Sequence, residues 1–369
     1  MRFPLLLSGL LIALPTAAQT GDAASPPLAP KLGGWSFSAS ADGYITANGN
    51  SPSTGANQLY NYNTQSGQPE LSLAKIVIDK SDQLFGLHLD AGFGETLRLI
   101  HATDPAAIDH PALRYIEQAY LIVKPDHTHG AEFDFGQFIS PAGAEVVEAD
   151  ADWNYSRSLL FAWAIPAYHF GFKSTVPITK GFSAGVQLVN AWNTVWGNNE
   201  LTNVGIVSTY TRPRYVWSAN YYTGPNHVGT RAGKRNLLDT TLLLTPTPKL
   251  SAYVNLDYGQ DNRVVPHTGA DRWAGAASAG RYQLRAKLAA AARVEWYDDA
   301  NGFTTGLAQR VKEVTFTGEY KQNAHVLSRL ELRHDWSDKA FYADGPKINA
   351  RRQQTTLTLG VILSAGPLK

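Results

Sequence analysis

The chain contains no cysteine, and its only methionine is the initiator. Disulfide bridges and thiolate metal sites are therefore excluded, and with them the disulfide-rich class of small secreted domains. An excess of one charge is also missing, because 32 Lys and Arg residues stand against 31 Asp and Glu residues, for a net charge of +1. Since these charges are dispersed along the chain, no basic stripe indicates a nucleic-acid-binding surface.

Long apolar runs are missing as well. Beyond the N-terminus, no stretch approaches the roughly 18 apolar residues that a membrane-spanning helix requires. Aromatic residues and glycine are plentiful instead, with 17 Tyr, 9 Trp and 32 Gly. In an exported chain without cysteine, this composition favours a β-rich outer-membrane protein.

The N-terminus has the three parts of a secretory signal peptide. Arg2 supplies a positive charge, an apolar segment follows, and the small residues Thr16 and Ala18 precede a cleavage site before Gln19. We therefore predict a signal peptide over residues 1–18 and export from the cytoplasm. A buried N-terminal helix is the alternative. The Pro- and Ala-rich residues 19–33 are predicted to be a flexible periplasmic leader.

Residues 34–369 show strict alternation of apolar and polar side chains. Five segments repeat the pattern, and the clearest places one apolar set on a single face: Leu250, Ala252, Val254, Leu256 and Tyr258. A period of two indicates β-strands with one apolar and one polar face. In the segment 70–80, Leu71 and Leu73 share their parity with Lys75, which predicts a β-bulge there.

Two architectures explain this alternation, a soluble β-sandwich and a transmembrane β-barrel. The barrel is favoured because the strands are about ten residues long, because aromatic residues lie near strand ends, and because short and long connections alternate. The sequence predicts an all-β fold for residues 34–369: a transmembrane, antiparallel, up-and-down barrel of about sixteen strands, with short periplasmic turns and long extracellular loops. Fourteen or eighteen strands are the alternatives.

The third long connection, residues 139–166, is the candidate functional segment. It carries acidic residues, then Arg157, then an apolar stretch that ends at Pro166. We expect this loop to fold into the barrel and form the constriction of a pore, with its apolar stretch on the wall and its charges toward the channel; an exposed surface loop is the alternative. The predicted constriction residues are Glu145, Glu148, Asp150, Asp152 and Arg157.

Alternating charges on the late strands predict a charged lumen wall. Its predicted members are Arg293, Arg329, Glu331, Arg333, Asp335 and Arg352. One interpretation is a basic wall that faces the acidic loop and sets up a transverse field. The other is a set of local cross-strand ion pairs that hold the polar lumen together.

Other chemistry has little support in the sequence. Residues 150–161 begin like a calcium-binding loop, but Tyr155 and Phe161 occupy the positions that need glycine and glutamate. His127 and His129 lack a nearby third ligand for a metal. No nucleophile with a base is evident, so we predict neither an enzyme nor a bound metal or cofactor.

The segment FDFGQFISPAGAEVVEADADWNYSRSLLFAWAIPAYHFGFK resembles the signature region of the OmpL-like β-barrel porins of bacterial outer membranes. The motif positions include Asn154, Tyr155, Ser156, Pro166 and His169. The resemblance is strong over about residues 130–200 and diffuse elsewhere. It implies a single-domain outer-membrane barrel and does not supply a substrate.

The functional hypothesis is an outer-membrane channel for passive diffusion of small hydrophilic solutes. Its expected partners are outer-membrane lipid, the barrel assembly machinery and the solutes, with a homo-oligomer left open. The C-terminus lacks the aromatic residue on which many such barrels end. A structural or adhesive barrel with a closed lumen is the first alternative, and an exported soluble β-sandwich is the second.

Overall fold

The computed structural model describes residues 34–197, 203–227, 229–264 and 269–365. The predicted signal peptide and leader lie outside these residues. The strands, in chain order, are β1 (Trp35–Asn48), β2 (Pro69–Ser81), β3 (Phe85–Phe93), β4 (Ile116–Val123), β5 (Glu132–Ile139), β6 (Tyr168–Thr179), β7 (Phe182–Val189), β8 (Asn203–Arg212), β9 (Tyr215–Gly224), β10 (Arg235–Thr247), β11 (Leu250–Asn262), β12 (Ala270–Arg285), β13 (Leu288–Asp299), β14 (Gln309–Lys321), β15 (Val326–Ser337), β16 (Tyr342–Asp344), β17 (Lys347–Arg351) and β18 (Gln353–Ser364).

Sixteen of these strands form one closed antiparallel barrel. Each wall strand pairs with its neighbours in the chain, and β1 closes the barrel by pairing with β18. β16 and β17 form a separate hairpin within the connection between β15 and β18. The predicted fold class and strand number are confirmed, and the closed sheet overturns the sandwich alternative.

The alternation in the sequence corresponds to the two faces of the wall. On β11, Leu250, Val254 and Leu256 are exposed on the outer face, while Tyr253 and Asn255 are buried on the inner face. Outward apolar side chains on the other strands form the same kind of surface. An apolar outer face is what contact with lipid requires.

β2 contains the predicted bulge. Its pairing with β1 shifts register where Asp42 and Gly43 oppose Leu73 and Leu71. Leu71 points outward and is 41% exposed, whereas Leu73 is buried. The extra residue therefore turns Lys75 into the barrel, where it is also buried.

Short turns and long loops lie at opposite ends of the barrel. Turns such as 82–84, 180–181, 213–214, 248–249 and 286–287 alternate with loops such as 49–68, 94–115, 140–167, 300–308 and 338–352. β1 begins and β18 ends at the short-turn end, since Trp35 pairs with Lys80 and the Ser364 amide donates to the carbonyl of His325.

The helices of the described residues are confined to the loops. The second loop holds α1 (Glu95–Ile100), α2 (Pro105–Asp109) and a 3-10 helix (Pro111–Tyr115), and the third loop holds one π-helical turn (Leu160–Ala164). None of them has the length and hydropathy of a membrane span.

The position of the apolar outer face leads to a first prediction. Leu330 lies near the middle of β15 and is 55% exposed on the outer face, whereas Val326 begins the same strand. Leu330→Arg should lower the free energy of unfolding by ~2–4 kcal/mol, because it places a charge near the bilayer midplane.

The matched variant Val326→Arg should cost only ~0–1 kcal/mol, because its charge reaches the interface. Urea-dependent folding into lipid vesicles measures both. Equal costs for the two variants would contradict a lipid-facing outer surface.

Candidate functional site

The third loop, residues 140–167, runs through the interior of the barrel. Its two ends are joined by a hydrogen bond of 3.0 Å from the Ser140 amide to the Ala167 carbonyl. Its first turn is fixed to the wall, because the Gly143 amide donates to Asp239 on β10 at 3.0 Å. Most of the loop's side chains are buried, as expected for a segment enclosed by strands.

Arg293 on β13 links the loop to three carboxylates. Its guanidinium lies 2.7 Å from Glu145 of the loop, 3.0 Å from Glu295 and 3.2 Å from Glu313. The same side chain donates to the Ser156 carbonyl at 2.7 Å. It therefore satisfies loop backbone and wall carboxylates together, and it has no exposed surface.

Arg329 and Arg333 on β15 bind the loop in the same way. Arg329 pairs with Glu319 at 2.9 Å and donates to the carbonyls of Ala149 and Asp152. Arg333 pairs with Asp335 at 2.8 Å and donates to the Arg157 carbonyl at 2.8 Å. Arg293 and Arg329 thus take part in cross-strand ion pairs, and all three arginines donate to loop carbonyls.

Glu331 on β15 binds amide groups of the loop, whereas the arginines bind its carbonyl groups. Its carboxylate accepts from the amides of Tyr155 at 2.6 Å and Ser156 at 3.0 Å. Asn154 is fixed beside it, since its side chain donates to Thr317 at 2.8 Å. The Asn-Tyr-Ser motif therefore docks on β14 and β15.

The acidic side chains of the loop differ in how far they are buried. Glu145 and Asp152 are buried, and Asp152 lies 3.0 Å from Arg157 of the same loop. Their expected position toward an open channel is wrong, because these ion pairs hold them inside the packed loop. Glu148 and Asp150 are partly exposed.

Arg157 is the central cation of the loop. It donates to the Val146 carbonyl at 2.9 Å and lies over the ring of Tyr62 from the first loop. Burial alone would lower the pKa of Arg157, but the carboxylates of Asp152, Asp42 and Glu145 raise it above its ordinary value. The guanidinium therefore stays charged.

Two wall glycines make room for loop side chains. A Cβ added at Gly360 on β18 would lie 2.3 Å from the ring of Tyr155, and one at Gly275 on β12 would lie 2.6 Å from Leu160. The Tyr155 hydroxyl also donates to Asp42 at 2.7 Å. The wall is thus complementary to the loop in shape as well as in charge.

The apolar stretch of the loop packs on the inner wall near its long-loop end. Trp273 donates to the Ala164 carbonyl at 3.0 Å, and Tyr297 donates to the Trp163 carbonyl at 3.1 Å. Leu160 and Phe161 are buried in the same cluster. Pro166, also buried, follows this stretch just before β6 begins.

Two further predicted residues lie away from the docked motif. His169 faces the interior from β6 and stacks on Tyr222 with ring centroids 5.1 Å apart. Arg352 was wrongly predicted to lie on the lumen wall. It is exposed in the connection between β17 and β18, because β18 begins only at Gln353, so Arg352 lies just before the wall strand whose inward parity it shares.

Lys75 forms a cluster that sequence patterns did not reveal. Its ammonium lies 3.1 Å from Asp90, 3.1 Å from Glu117 and 2.6 Å from Glu148 of the third loop. These three carboxylates are close enough together to hold a metal ion, but Lys75 already lies among them as the counter-charge. The bulge in β2 was the one signal that Lys75 points inward.

An acidic pair behind the loop was also missed. Asp239 and Asp257 oppose each other directly across β10 and β11, and both are buried. Asp239 accepts from the side chains of Asn220 and Asn255 as well as from Gly143. Neither oxygen of Asp257 has a hydrogen-bond donor within the described ranges.

The interior differs between its middle and its short-turn end. In the middle layer, inward side chains such as Arg293, Thr315 and Gln187 are 0% exposed. Toward the short turns, inward hydroxyl residues such as Ser38, Ser183 and Thr209 are partly exposed. The barrel is thus packed across its middle and opens toward the short-turn end.

Comparison with known proteins supports the barrel assignment. The family model "Putative beta-barrel porin-2, OmpL-like" matches residues 34–364. No curated protein sequence matches the chain. The chain is similar to OmpT, an outer-membrane protein of Vibrio cholerae, at 15% identity and a TM-score of 0.58 over 91% of this chain and 99% of that one.

Two further solved structures are channels by description. An anion-selective porin from Comamonas acidovorans has 10% identity and a TM-score of 0.60, over 89% of this chain and 99% of that one. The outer-membrane channel DcaP of Acinetobacter baumannii has 10% identity and a TM-score of 0.58, over 91% and 99%. At such identities, these similarities show the fold alone.

The buried arginine network yields a second prediction. Arg293→Met should lower the free energy of unfolding by ~3–5 kcal/mol, because it leaves Glu145, Glu295 and Glu313 without their shared cation. Arg281→Met should cost only ~0–1 kcal/mol, because the Arg281–Glu319 pair is partly exposed. Denaturant unfolding in detergent measures the loss in free energy of unfolding for both variants. Similar losses would contradict a barrel interior in which Arg293 is shielded from water.

The acidic pair yields a third prediction. Asp257→Asn should raise the thermal midpoint at neutral pH, because an amide can donate to Asp239 without the cost of charging or protonating a second buried carboxyl. Asp239→Asn should lower it, since Asp239 accepts from Gly143, Asn220 and Asn255. The midpoint is the temperature at which half of the protein loses the gel mobility of the folded barrel and migrates as the unfolded chain. A lower midpoint for Asp257→Asn would contradict the close approach of Asp239 and Asp257.

Proposed function

The chain belongs to the OmpL-like β-barrel porins, and we propose that it is an outer-membrane channel for passive diffusion of small hydrophilic solutes. Membership in this family and the similarity to porin structures support a channel in the bacterial outer membrane. A barrel of sixteen strands is wide enough to contain an aqueous pore. The proposal includes no catalytic step.

The observation that carries the proposal is the position of the third loop. A loop that lies inside the barrel reduces the cross-section open to solutes, and we propose that residues 139–166 form the constriction. Glu148 and Asp150 are its acids nearest to solvent. On this proposal they, rather than Glu145 and Asp152, meet a passing solute.

Permeation in this proposal requires the loop to shift. The side chains of the middle layer are packed against the loop, so the described conformation leaves them no contact with water. The partly exposed short-turn end then acts as a vestibule below the constriction. A solute passes the middle layer when the loop leaves part of its contacts with the wall.

A structural or adhesive barrel with a closed lumen is the second candidate. The observation that favours it is the same burial of the middle layer, because a barrel without transport needs no path. Its activity would lie in the long loops. A measurement of single-channel conductance distinguishes the diffusion channel from the closed barrel.

Several finer points are proposals that rest on the sequence. We propose that residues 1–18 direct export and that the barrel assembly machinery inserts the chain. An oligomer is an open part of the proposal, since one similar structure is the trimer form of OmpT from Vibrio cholerae. Lipid on the outer face follows from its apolar side chains.

The fourth prediction tests the channel and the loop together. Gly360→Val should displace Tyr155 and raise single-channel conductance several-fold over the wild type in planar bilayers, because its side chain would occupy the space of the ring. Gly280→Val is the matched control, since a Cβ at Gly280 has no heavy atom closer than 3.8 Å. It should keep the wild-type conductance.

The outcomes distinguish the candidates. Small or rare wild-type openings that grow in Gly360→Val would support a channel narrowed by the third loop. Silence of both folded proteins, judged by the heat-modified gel shift, would contradict the channel and favour the closed barrel. A large wild-type conductance unchanged in Gly360→Val would contradict the constriction only.

A further inference from the structure

The outer face of the barrel carries an apolar groove near its short-turn end. Phe182, Tyr210, Trp217 and Leu242 are register partners on four consecutive strands, β7 to β10. Together with Thr179 and Tyr215 they line a groove of about 600 Å³. Trp217 is 46% exposed on this face, and its indole nitrogen donates to Thr240 at 2.9 Å.

Basic side chains border the groove at the turns. Arg212 lies over the ring of Tyr210 with its guanidinium carbon 4.2 Å from the ring centroid. It also donates to the Lys180 carbonyl at 3.0 Å, so it is held at the groove's edge. Arg214 lies in the turn that directly follows Arg212, Lys249 lies in the turn between β10 and β11, and both are exposed.

Among the residues that the structure describes, these cations have no carboxylate partner. The turn segments 179–181, 211–214 and 245–249 contain no acidic residue. A charged edge next to an apolar groove on a lipid-facing wall matches an amphiphile with an anionic head.

We propose that this groove binds an anionic phospholipid of the leaflet at the short-turn end. Arg212 and Arg214 would bind the phosphate, since guanidinium groups match its geometry. One acyl chain would lie along Phe182, Trp217 and Leu242, with Tyr210 and Tyr215 at the depth of the headgroup, where aromatic rings are favoured. The site does not depend on whether the channel opens.

A second copy of the chain fits this surface less well. In a two-fold contact the same patch meets itself, so Arg212 and Arg214 would face their own equivalents without an anion between them. Like charges brought together at an interface oppose association. A phospholipid supplies the missing anion and covers the apolar groove at the same time.

The fifth prediction concerns lipid retention by the full mature barrel. Native mass spectrometry from detergent, titrated with phosphatidylglycerol or phosphatidylcholine of equal chain length, should show one preferred phosphatidylglycerol. Arg212→Gln/Arg214→Gln should lower its affinity roughly 30-fold, about 5-fold for each arginine. Trp217→Ala should lower the affinity for both lipids, because it removes part of the apolar groove.

The matched control is Arg285→Gln/Lys287→Gln, which removes two cations from a different short turn. It should leave the preferred lipid bound. Equal loss in this control would overturn the proposal in favour of a general basic ring, and equal binding of the two lipids would overturn the role of charge. A dimer whose formation is abolished by Trp217→Ala would show that a second copy covers the groove.

Discussion

The structure depends on how the backbone of an irregular loop is satisfied inside a barrel. A polypeptide without regular structure exposes amide and carbonyl groups that water can no longer reach once it is enclosed. Here Arg293, Arg329 and Arg333 donate to loop carbonyls, and Glu331 accepts from loop amides. Side chains of the wall thus form the hydrogen bonds that water would otherwise form with the loop backbone.

The same side chains also explain why the wall tolerates its own charges. A buried arginine is costly unless it is paired and hydrogen-bonded on all sides. Each of the three arginines has a carboxylate partner on the wall and a carbonyl partner on the loop. Removing the loop would leave the arginines half-satisfied, so the docked loop and the charged wall stabilise each other.

The barrel itself was predictable from the sequence because it rests on local patterns. Period-two alternation predicted the strands, and the alternation of short and long connections predicted sixteen of them. The bulge in β2 was predictable from the parity of Leu71, Leu73 and Lys75. These features depend on residues close together in the chain, which one sequence displays directly.

The site was predictable only in part, because it depends on contacts between distant residues. The acids of the third loop were found, but nothing local tells Glu145, which pairs with Arg293, from Glu148, which pairs with Lys75. The opposition of Asp239 and Asp257 requires the register of β10 and β11. Arg352 was misplaced because parity does not show where a strand begins, and β18 begins only at Gln353.

The position of the third loop inside the barrel can be tested directly, because the chain has no native cysteine. We would introduce Tyr155→Cys and Gly360→Cys together and measure disulfide formation in the folded protein in lipid. The account predicts rapid, near-complete cross-linking of this pair and none for Tyr155→Cys with Gly280→Cys on the outer face. A folded barrel in which the first pair stays reduced under oxidant would contradict a loop docked on β18.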